Sequence, residues 1–458
     1  MGAGKVAALF CAGTLSLWSA PAGAQGVAPP AADVAPRTGG EDLALINAER
    51  EILFKRMLTD PANLDVAFTY AALSARAGDL EAAISTLERM LIFAPGVPRL
   101  QLELGVLYFR LGAFEHARSY FEQAISGENV PPEVRAKVGD YLAAIDKETQ
   151  LNSFTGMVVF GIRGQTNANA APENRTVNIN GLDFLLDEDA VGDPDVNAFS
   201  TGVYRYSRDL ENQSDRIDVN LVTYGAAYLG HDELNTALAE LTAGPVFDLD
   251  RFGVDGASVG LYGIAGGVLM EQDPYLGILG FGAFASRQFG STTQVSLKTE
   301  FRSATYYDSD RRPLASDRSG EQYRGGATLQ HQLNPHFAVF GAVQTEREET
   351  EQDYLDNWEL EGRVGGMWAF GSPIAALPGT WSYTLGGGYL HRAFDEADPV
   401  IDDERQGDRE IYVDTGLVIP LAETWALQAA AGYRHVTSNY DIKTFDNAYG
   451  SLGVMKKF

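Results

Sequence analysis

The chain has 458 residues, a net charge of −27 and a single cysteine. An acid excess of this size excludes the basic surface that nucleic-acid binding requires, so no nucleic-acid partner is expected. One cysteine excludes a disulfide framework, so stability must come from a large core or from a hydrogen-bonded closed sheet.

The first segment, "MGAGKVAALFCAGTLSLWSAPAGAQ", has a positive charge at Lys5, an apolar run from Val6 to Trp18 and small residues at Ala22, Gly23 and Ala24. This pattern predicts a secretory signal peptide over 1–24, which contains Cys11, and hence export. Residues 25–40, rich in Ala, Pro and Gly, read as a flexible leader. No run of 18 apolar residues follows. That argues against a helical membrane span but not against a barrel, whose alternating strands score weakly on hydropathy.

Over 41–150 the apolar spacing is helical. "EDLALINAEREILFKRML" puts Leu43, Ile46, Ile52, Leu53 and Met57 on roughly one side. Residues 64–97 then align with 98–131 at a period of 34. Arg76 maps to Arg110, Gly78 to Gly112, Ala83 to Ala117 and Leu87 to Phe121. A 34-residue helix-turn-helix unit is the tetratricopeptide period. Tyr70-Ala71 and Leu104-Gly105 supply large-small pairs on the first helices, and Ala83 and Ala117 open the second helices where two helices cross closely. Pro95 ends the first unit. The helix before the repeats and "PPEVRAKVGDYLAAIDKE" after them are expected to act as half-repeats or caps. Phe68, Arg76, Arg99, Leu102, Phe109 and Arg110 are the expected client-binding groove. The competing reading packs Phe68 and Phe109 against neighbouring helices.

Near Asn152 the period changes from 3.6 to 2. "DRIDVNLVTYGAAY" sets Ile217, Val219 and Leu221 against Arg216, Asp218 and Asn220. "TTQVSLKTEFRS" sets Val295, Leu297 and Phe301 against Lys298, Glu300 and Arg302. "DNWELEGRVGGMW" sets Trp358, Leu360 and Val364 against Glu359, Glu361 and Arg363. A sandwich in water buries its apolar face, whereas an outer-membrane barrel turns that face to lipid and its charges to a wet lumen. The barrel is favoured by strands of about ten residues, by dense glycine, and by aromatics near strand ends (Tyr306, Tyr307, Trp358, Trp368, Trp381, Trp425). Residues 151–458 therefore predict about fourteen antiparallel strands, starting near 154, 197, 215, 236, 256, 273, 291, 320, 336, 355, 380, 408, 424 and 447. Long connectors at 166–196, 309–319 and 394–407 alternate with short ones, as extracellular loops alternate with periplasmic turns. The expected lumen residues are Lys298, Glu300, Arg302, Arg324, Glu359, Glu361 and Arg363. The segment 166–196 is the longest candidate plug.

Catalytic and metal signals are absent from the sequence. The six histidines show no HExxH spacing and there is no CxxC. "DEDAVGDPD" opens like a calcium loop, but its twelfth position is Ala198, so it reads as a solvated surface loop. No cofactor, metal site or enzymatic activity is expected.

The first strand and its turn, "MVVFGIRGQTNANAAP", with Gly161, Gly164, Thr166, Asn167, Asn169, Ala171 and Pro172, resemble those of the surface lipoprotein assembly modulator (Slam) family. The architecture, periplasmic tetratricopeptide repeats followed by a single-chain barrel, is similar to that family's. The resemblance implies a cell outer-membrane protein with its repeats in the periplasm and an exported protein or lipoprotein as client. The alternatives are an exopolysaccharide-export porin and a passive pore whose repeats act as a scaffold. The ending "GSLGVMKKF" resembles the C-terminal signal of outer-membrane barrels through Gly453 and Phe458. It implies recognition by the barrel assembly machinery and contact of Phe458 with the lipid bilayer.

Overall fold

A computed structural model of the protein describes residues 40–60, 63–127, 130–212 and 214–458. The signal segment 1–24 and all of the leader except Gly40 lie outside the described residues. The chain divides into a helical unit and a β unit.

The helical unit holds α1 (Gly40–Thr59), α2 (Leu64–Arg76), α3 (Leu80–Phe93), α4 (Pro98–Arg110), α5 (Phe114–Ile125) and α6 (Pro132–Glu148). Local chemistry starts these helices. The Asn63 side chain accepts from the Val66 N–H and Asp79 accepts from the Ala82 N–H, filling orphan donors of the first turn. Proline opens α4 and α6, where its missing N–H costs nothing. Gly78 and Gly112, one period apart, follow α2 and α4 with φ of +86° and +78°. L side chains avoid that region, so glycine recurs there.

The repeats pack as the small residues require. Ala83 and Ala117 are fully buried, and Leu87, Leu100, Leu104 and Phe121 are buried with them. A Cβ on Gly105 would lie 2.7 Å from the Phe121 ring, so α4 and α5 meet at this distance only with glycine there. Both flanking helices join this core: α1 inserts Ile46, Leu53 and Met57, and α6 inserts Val138, Tyr141 and Ile145. Leu43 and Ile52 depart from expectation. They are 37 % and 55 % exposed, because the buried stripe of α1 runs through 46, 53 and 57 and leaves both to one side.

The β unit is a closed antiparallel barrel of fourteen strands in a simple meander. The strands are β1 (Asn152–Gln165), β4 (Asp195–Asp209), β5 (Arg216–Tyr228), β6 (Thr236–Asp248), β7 (Ala257–Met270), β8 (Asp273–Phe289) and β9 (Thr293–Tyr306). They continue with β10 (Gly320–Asn334), β11 (Phe337–Thr350), β12 (Asn357–Gly371), β13 (Thr380–Phe394), β14 (Gly407–Pro420), β15 (Trp425–Ser438) and β16 (Phe445–Lys457). Closure is by β1 on β16, with Met157–Gln165 paired against Tyr449–Lys457. The small strands β2 (Thr176–Ile179) and β3 (Leu182–Leu185) form a separate hairpin within the longest connector.

The burial of this unit is inverted relative to a water-soluble protein. Phe160, Leu279, Phe281, Val364 and Leu452 are each more than 60 % exposed on the outer wall. Asp218, Glu300, Arg302, Gln322, Asn357 and Asp408 are buried on the inner one. A wall that is apolar outside and charged inside fits a lipid surround. No described helix is long and apolar enough to cross a membrane, so any crossing is made by the strands.

The aromatic ends are only partly as expected. Trp358, Trp368 and Trp425 are exposed near strand ends, and Lys456 lies 4.8 Å from the Trp425 ring. Trp381 is instead buried, with its indole N–H donating to the Leu377 carbonyl, because the 372–379 turn folds over it. Tyr306 is also buried. It lies on the inward row of β9, edge-on to Tyr275 at 5.4 Å, and only its neighbour Tyr307 is exposed.

Candidate functional site: the barrel lumen and the repeat helices

Alternation along each strand fixes which side chains reach the lumen, and register fixes which of them meet. On β9, Lys298, Glu300 and Arg302 share the inward face. Glu300 accepts from Lys298 at 2.6 Å, from Arg302 at 2.9 Å and from the Tyr262 hydroxyl of β7 at 2.8 Å. Arg302 also holds both oxygens of Glu240 on β6, at 2.7 and 3.1 Å. On β10 and β11, Arg324 pairs with Glu346 at 2.9 Å, and Gln322 donates to Glu348.

The third group spans β12 to β16. Arg392 bonds Glu359, Tyr412 donates to Glu361, and Arg434 pairs with Glu410 at 2.9 Å. Asp414 lies 3.6 Å from Arg363 and accepts from the Tyr449 hydroxyl at 2.8 Å. These ions are paired because an unpaired charge shut away from water is strongly unfavourable. Three lumen tyrosines also sit directly across from glycine: Tyr262 from Gly282, Tyr412 from Gly388 and Tyr449 from Gly432. A Cβ at any of these glycines would come within 2.5 Å of the facing ring, so glycine lets the ring lie flat on the wall.

The structure thus brings Lys298, Glu300 and Arg302 into one cluster, and Glu359, Glu361 and Arg363 into another. Arg324 stands between them with Glu346. Sequence reading missed Glu240, Glu346, Arg392 and Arg434. Each lies on an alternating row, which was the available signal. Their partners are set by register across strands.

The connector 166–194 is built at the far rim, the end opposite the one where β1 begins. The Asn178 N–H donates to Asp441, and Asn180 donates to the carbonyls of Ile401 and Val400, so the hairpin ties onto the loops beside β13 to β16. Its other edge is held at His231, whose ring meets Glu233 at 2.9 Å and Asp193 at 3.1 Å. Burial favours neutral His231, but the Glu233 and Asp193 carboxylates outweigh it and raise its pKa above the ordinary value. Arg311 adds a contact to Glu271 at 3.1 Å. Among the described residues no three metal-ligating side chains gather as a cation site.

On the repeats, Phe68 and Arg99 come together, the guanidinium 5.1 Å from the ring. Arg76 and Arg110 are exposed at the ends of α2 and α4. Leu102 and Phe109 are half-buried and pack toward α5 and α6, with Phe109 edge-on to Phe114 and to Tyr141. A polar-aromatic stack not singled out by sequence lies nearby. Tyr108 stacks on His116 and Tyr120 and donates to Glu88 at 2.6 Å. Burial and the Glu88 carboxylate push the Tyr108 hydroxyl up to about 12.

At the end of the chain, Gly453 pairs with Gly161 across the closing seam. The Phe458 N–H donates to the Gly156 carbonyl at 2.9 Å. The Phe458 ring stays exposed, 6.5 Å from Tyr204.

The family description "Tetratricopeptide repeat" matches residues 71–138. No curated protein matches the chain. Among solved structures, the Yersinia enterocolitica type III secretion chaperone SycD, in complex with a peptide of the translocator YopD, is 14 % identical. That likeness covers 24 % of this chain and 86 % of the other, with a TM-score of 0.22. The outer-membrane channel DcaP of Acinetobacter baumannii is 8 % identical over 67 % of this chain and 97 % of its own, at a TM-score of 0.38. A bacterial polysaccharide outer membrane secretin is 11 % identical over 66 % and 98 %, at 0.34. Similarity at this level assigns no activity. The chain joins a tetratricopeptide repeat region to a closed fourteen-strand antiparallel β-barrel.

Proposed function

We propose that the protein is a non-enzymatic outer-membrane translocation or assembly factor that helps exported proteins, surface lipoproteins among them, across or onto the outer membrane. The repeats act on the periplasmic side as the client-binding module, and the barrel provides the route. The observation that carries this reading is the union, on one chain, of a tetratricopeptide region and a barrel with a charge-lined lumen. Repeat surfaces of this type commonly hold extended peptides. Gly453 and Phe458, on and beside the closing strand, are read as the signal for the barrel assembly machinery.

A second reading, export of a polysaccharide, is supported by the tyrosines Tyr262, Tyr412 and Tyr449 along the lumen, since sugar faces stack on aromatic rings. The test is photo-crosslinking in intact cells from a reactive side chain placed at the exposed positions Arg76 and Arg110. Recovery of one or a few exported polypeptides is the expected result, and recovery of glycan alone overturns the first reading. Conductance of the purified protein in planar bilayers separates both from a passive pore. A large, steady, ohmic current would refute a gated translocon.

A further inference from the structure

The lumen contains one arginine that breaks its own pattern. Arg205, Arg216, Arg302, Arg324, Arg363 and Arg434 each meet a carboxylate. Arg163, on the inward row of β1, meets none among the described residues. Aromatic rings neighbour its guanidinium instead, Phe199 at 4.9 Å and Tyr449 at 5.5 Å. Its Nε is buried with no hydrogen-bond partner.

The surroundings point the same way. The rung neighbours of Arg163 are Asn197 on β4 and Ser451 on β16. Asn197 is fully buried, and both its amide oxygen and its amide nitrogen lack a partner. β1 contains no acidic residue, and the one on β16, Asp446, belongs to the outward row with His435. Toward the rim, Gln165 bridges the Tyr228 hydroxyl at 3.3 Å and the Asn447 amide at 3.2 Å. Two acids of the inner wall near this arc are engaged elsewhere: Asp195, on the inward row of β4 opposite Gln165, accepts from the backbone N–H groups of Val196, Gly230 and His231, and Asp414 is held by Tyr449 and Arg363. On the β16–β1–β4 arc, among the described residues, Arg163 is thus an arginine with no carboxylate partner, beside a hydroxyl and an orphan amide.

We propose that Arg163, with Asn197 and Ser451 beside it, is a binding site for an organic carboxylate within the lumen. A guanidinium with rings beside it keeps its N–H edge for a two-point contact, the geometry that a planar carboxylate matches. The aromatic neighbours strengthen the contact by excluding water from the ion pair. Asn197 has no solvent-exposed surface, so it acts as a positioning residue. Its oxygen and the Arg163 Nε are unfilled on one rung of adjacent strands, and a shift of the guanidinium onto the carboxylate is the movement that lets them bond. The site does not depend on the client reading above, because it concerns the chemistry of one lumen wall.

The experiment is a calorimetric titration of the full-length protein, refolded in detergent micelles, with sodium glucuronate, N-acetylglycine, glucose and the methyl ester of glucuronate. Saturable binding of either acid is expected, and which acid binds more tightly tells a sugar acid from a peptide end. The two neutral probes are expected to give no saturable heat. Arg163→Met should weaken the acid by about tenfold or more, and Arg163→Lys by about threefold, since an ammonium keeps the charge and loses the fork. Lys298→Met, in the separate Glu300 cluster, should leave binding unchanged. The proposal is overturned if neither acid binds, if the ester binds as tightly as the acid, or if Arg163→Met binds within twofold of wild type. The acid-against-ester comparison uses wild-type protein and decides the matter even if the arginine variants fail to refold.

Discussion

Arg302 is the sharpest test of the reading that the lumen charges are paired rather than free. It is 5 % exposed, grips both oxygens of Glu240 and reaches Glu300 at 2.9 Å. In Arg302→Met, Glu300 keeps Lys298 at 2.6 Å and the Tyr262 hydroxyl at 2.8 Å, while Glu240 loses the partner that held both its oxygens. Breaking a buried pair on one side costs about 3–5 kcal/mol. The Glu240 side chain keeps 25 % of its surface exposed, so the expectation lies at the low end, about 3 kcal/mol. Removing the stranded charge as well, in Glu240→Gln/Arg302→Met, should recover about half of that loss. The assay is urea unfolding of the full-length protein in lipid vesicles, followed by tryptophan emission, with the midpoint and slope of each variant compared. A single variant within about 0.5 kcal/mol of wild type refutes the pairing argument, as does a double variant no more stable than the single. Arg311 at the rim is the internal control. It is half exposed and spreads over Asp232, Glu233 and Glu271, so Arg311→Met should cost less than about 1 kcal/mol.

Three further outcomes are expected. Leu279→Arg places a cation on the outer wall, where Leu279 is 68 % exposed, and should cost about 2–4 kcal/mol in a bilayer against almost nothing for Leu279→Phe; equal costs in vesicle unfolding would mean that this wall does not face lipid. Gly105→Ala drives a methyl to 2.7 Å from the buried Phe121 ring and should destabilise the repeats by about 1–3 kcal/mol, read as a lower melting midpoint of the helical circular-dichroism signal, with an unchanged midpoint counting against the close α4–α5 crossing. The His231 contact should depend on pH. Its pKa is raised by Asp193 and Glu233, so its contribution is fully present below the unfolded-state value of about 6.5 and is lost as pH rises through the raised one. Amide exchange across 229–235 should therefore quicken about two- to fivefold on going to mildly alkaline pH after correction for intrinsic rates, and His231→Gln should abolish that dependence; a variant that keeps it would exclude the histidine as its source.

Most of the architecture was legible in the sequence, for identifiable reasons. The 34-residue period survives because Gly78 and Gly112 must adopt positive φ and because Ala83, Gly105 and Ala117 stand where helices cross. The fourteen strands are readable because lipid outside and water inside impose opposite demands on alternate residues, as along Lys298, Glu300 and Arg302 against Leu297 and Phe301. The start expected near 447 lies at Phe445 and the one near 154 at Asn152, while the start near 380 coincides with Thr380.

Alternation names a face, but it names neither a height nor a neighbour. Glu240 meets Arg302 across 62 residues only because β6, β7, β8 and β9 are held in one register. Tyr306 and Trp381 look alike as strand-end aromatics, yet one turns into the lumen and the other is covered by a turn. The 166–194 connector hides a hairpin whose contacts lie more than 200 residues away. Arg163 gave no signal of its own, since one arginine on an alternating strand looks like any other. Its distinction is that, among the described residues, it has no carboxylate partner, and that distinction exists only once the sheet has closed and β16 lies beside β1. The sequence by itself determined the two kinds of secondary structure, the repeat and the faces of each strand, because backbone geometry and solvent act on nearby residues. Tertiary structure decided which charges cancel, because pairing across the wall depends on the register of the closed sheet.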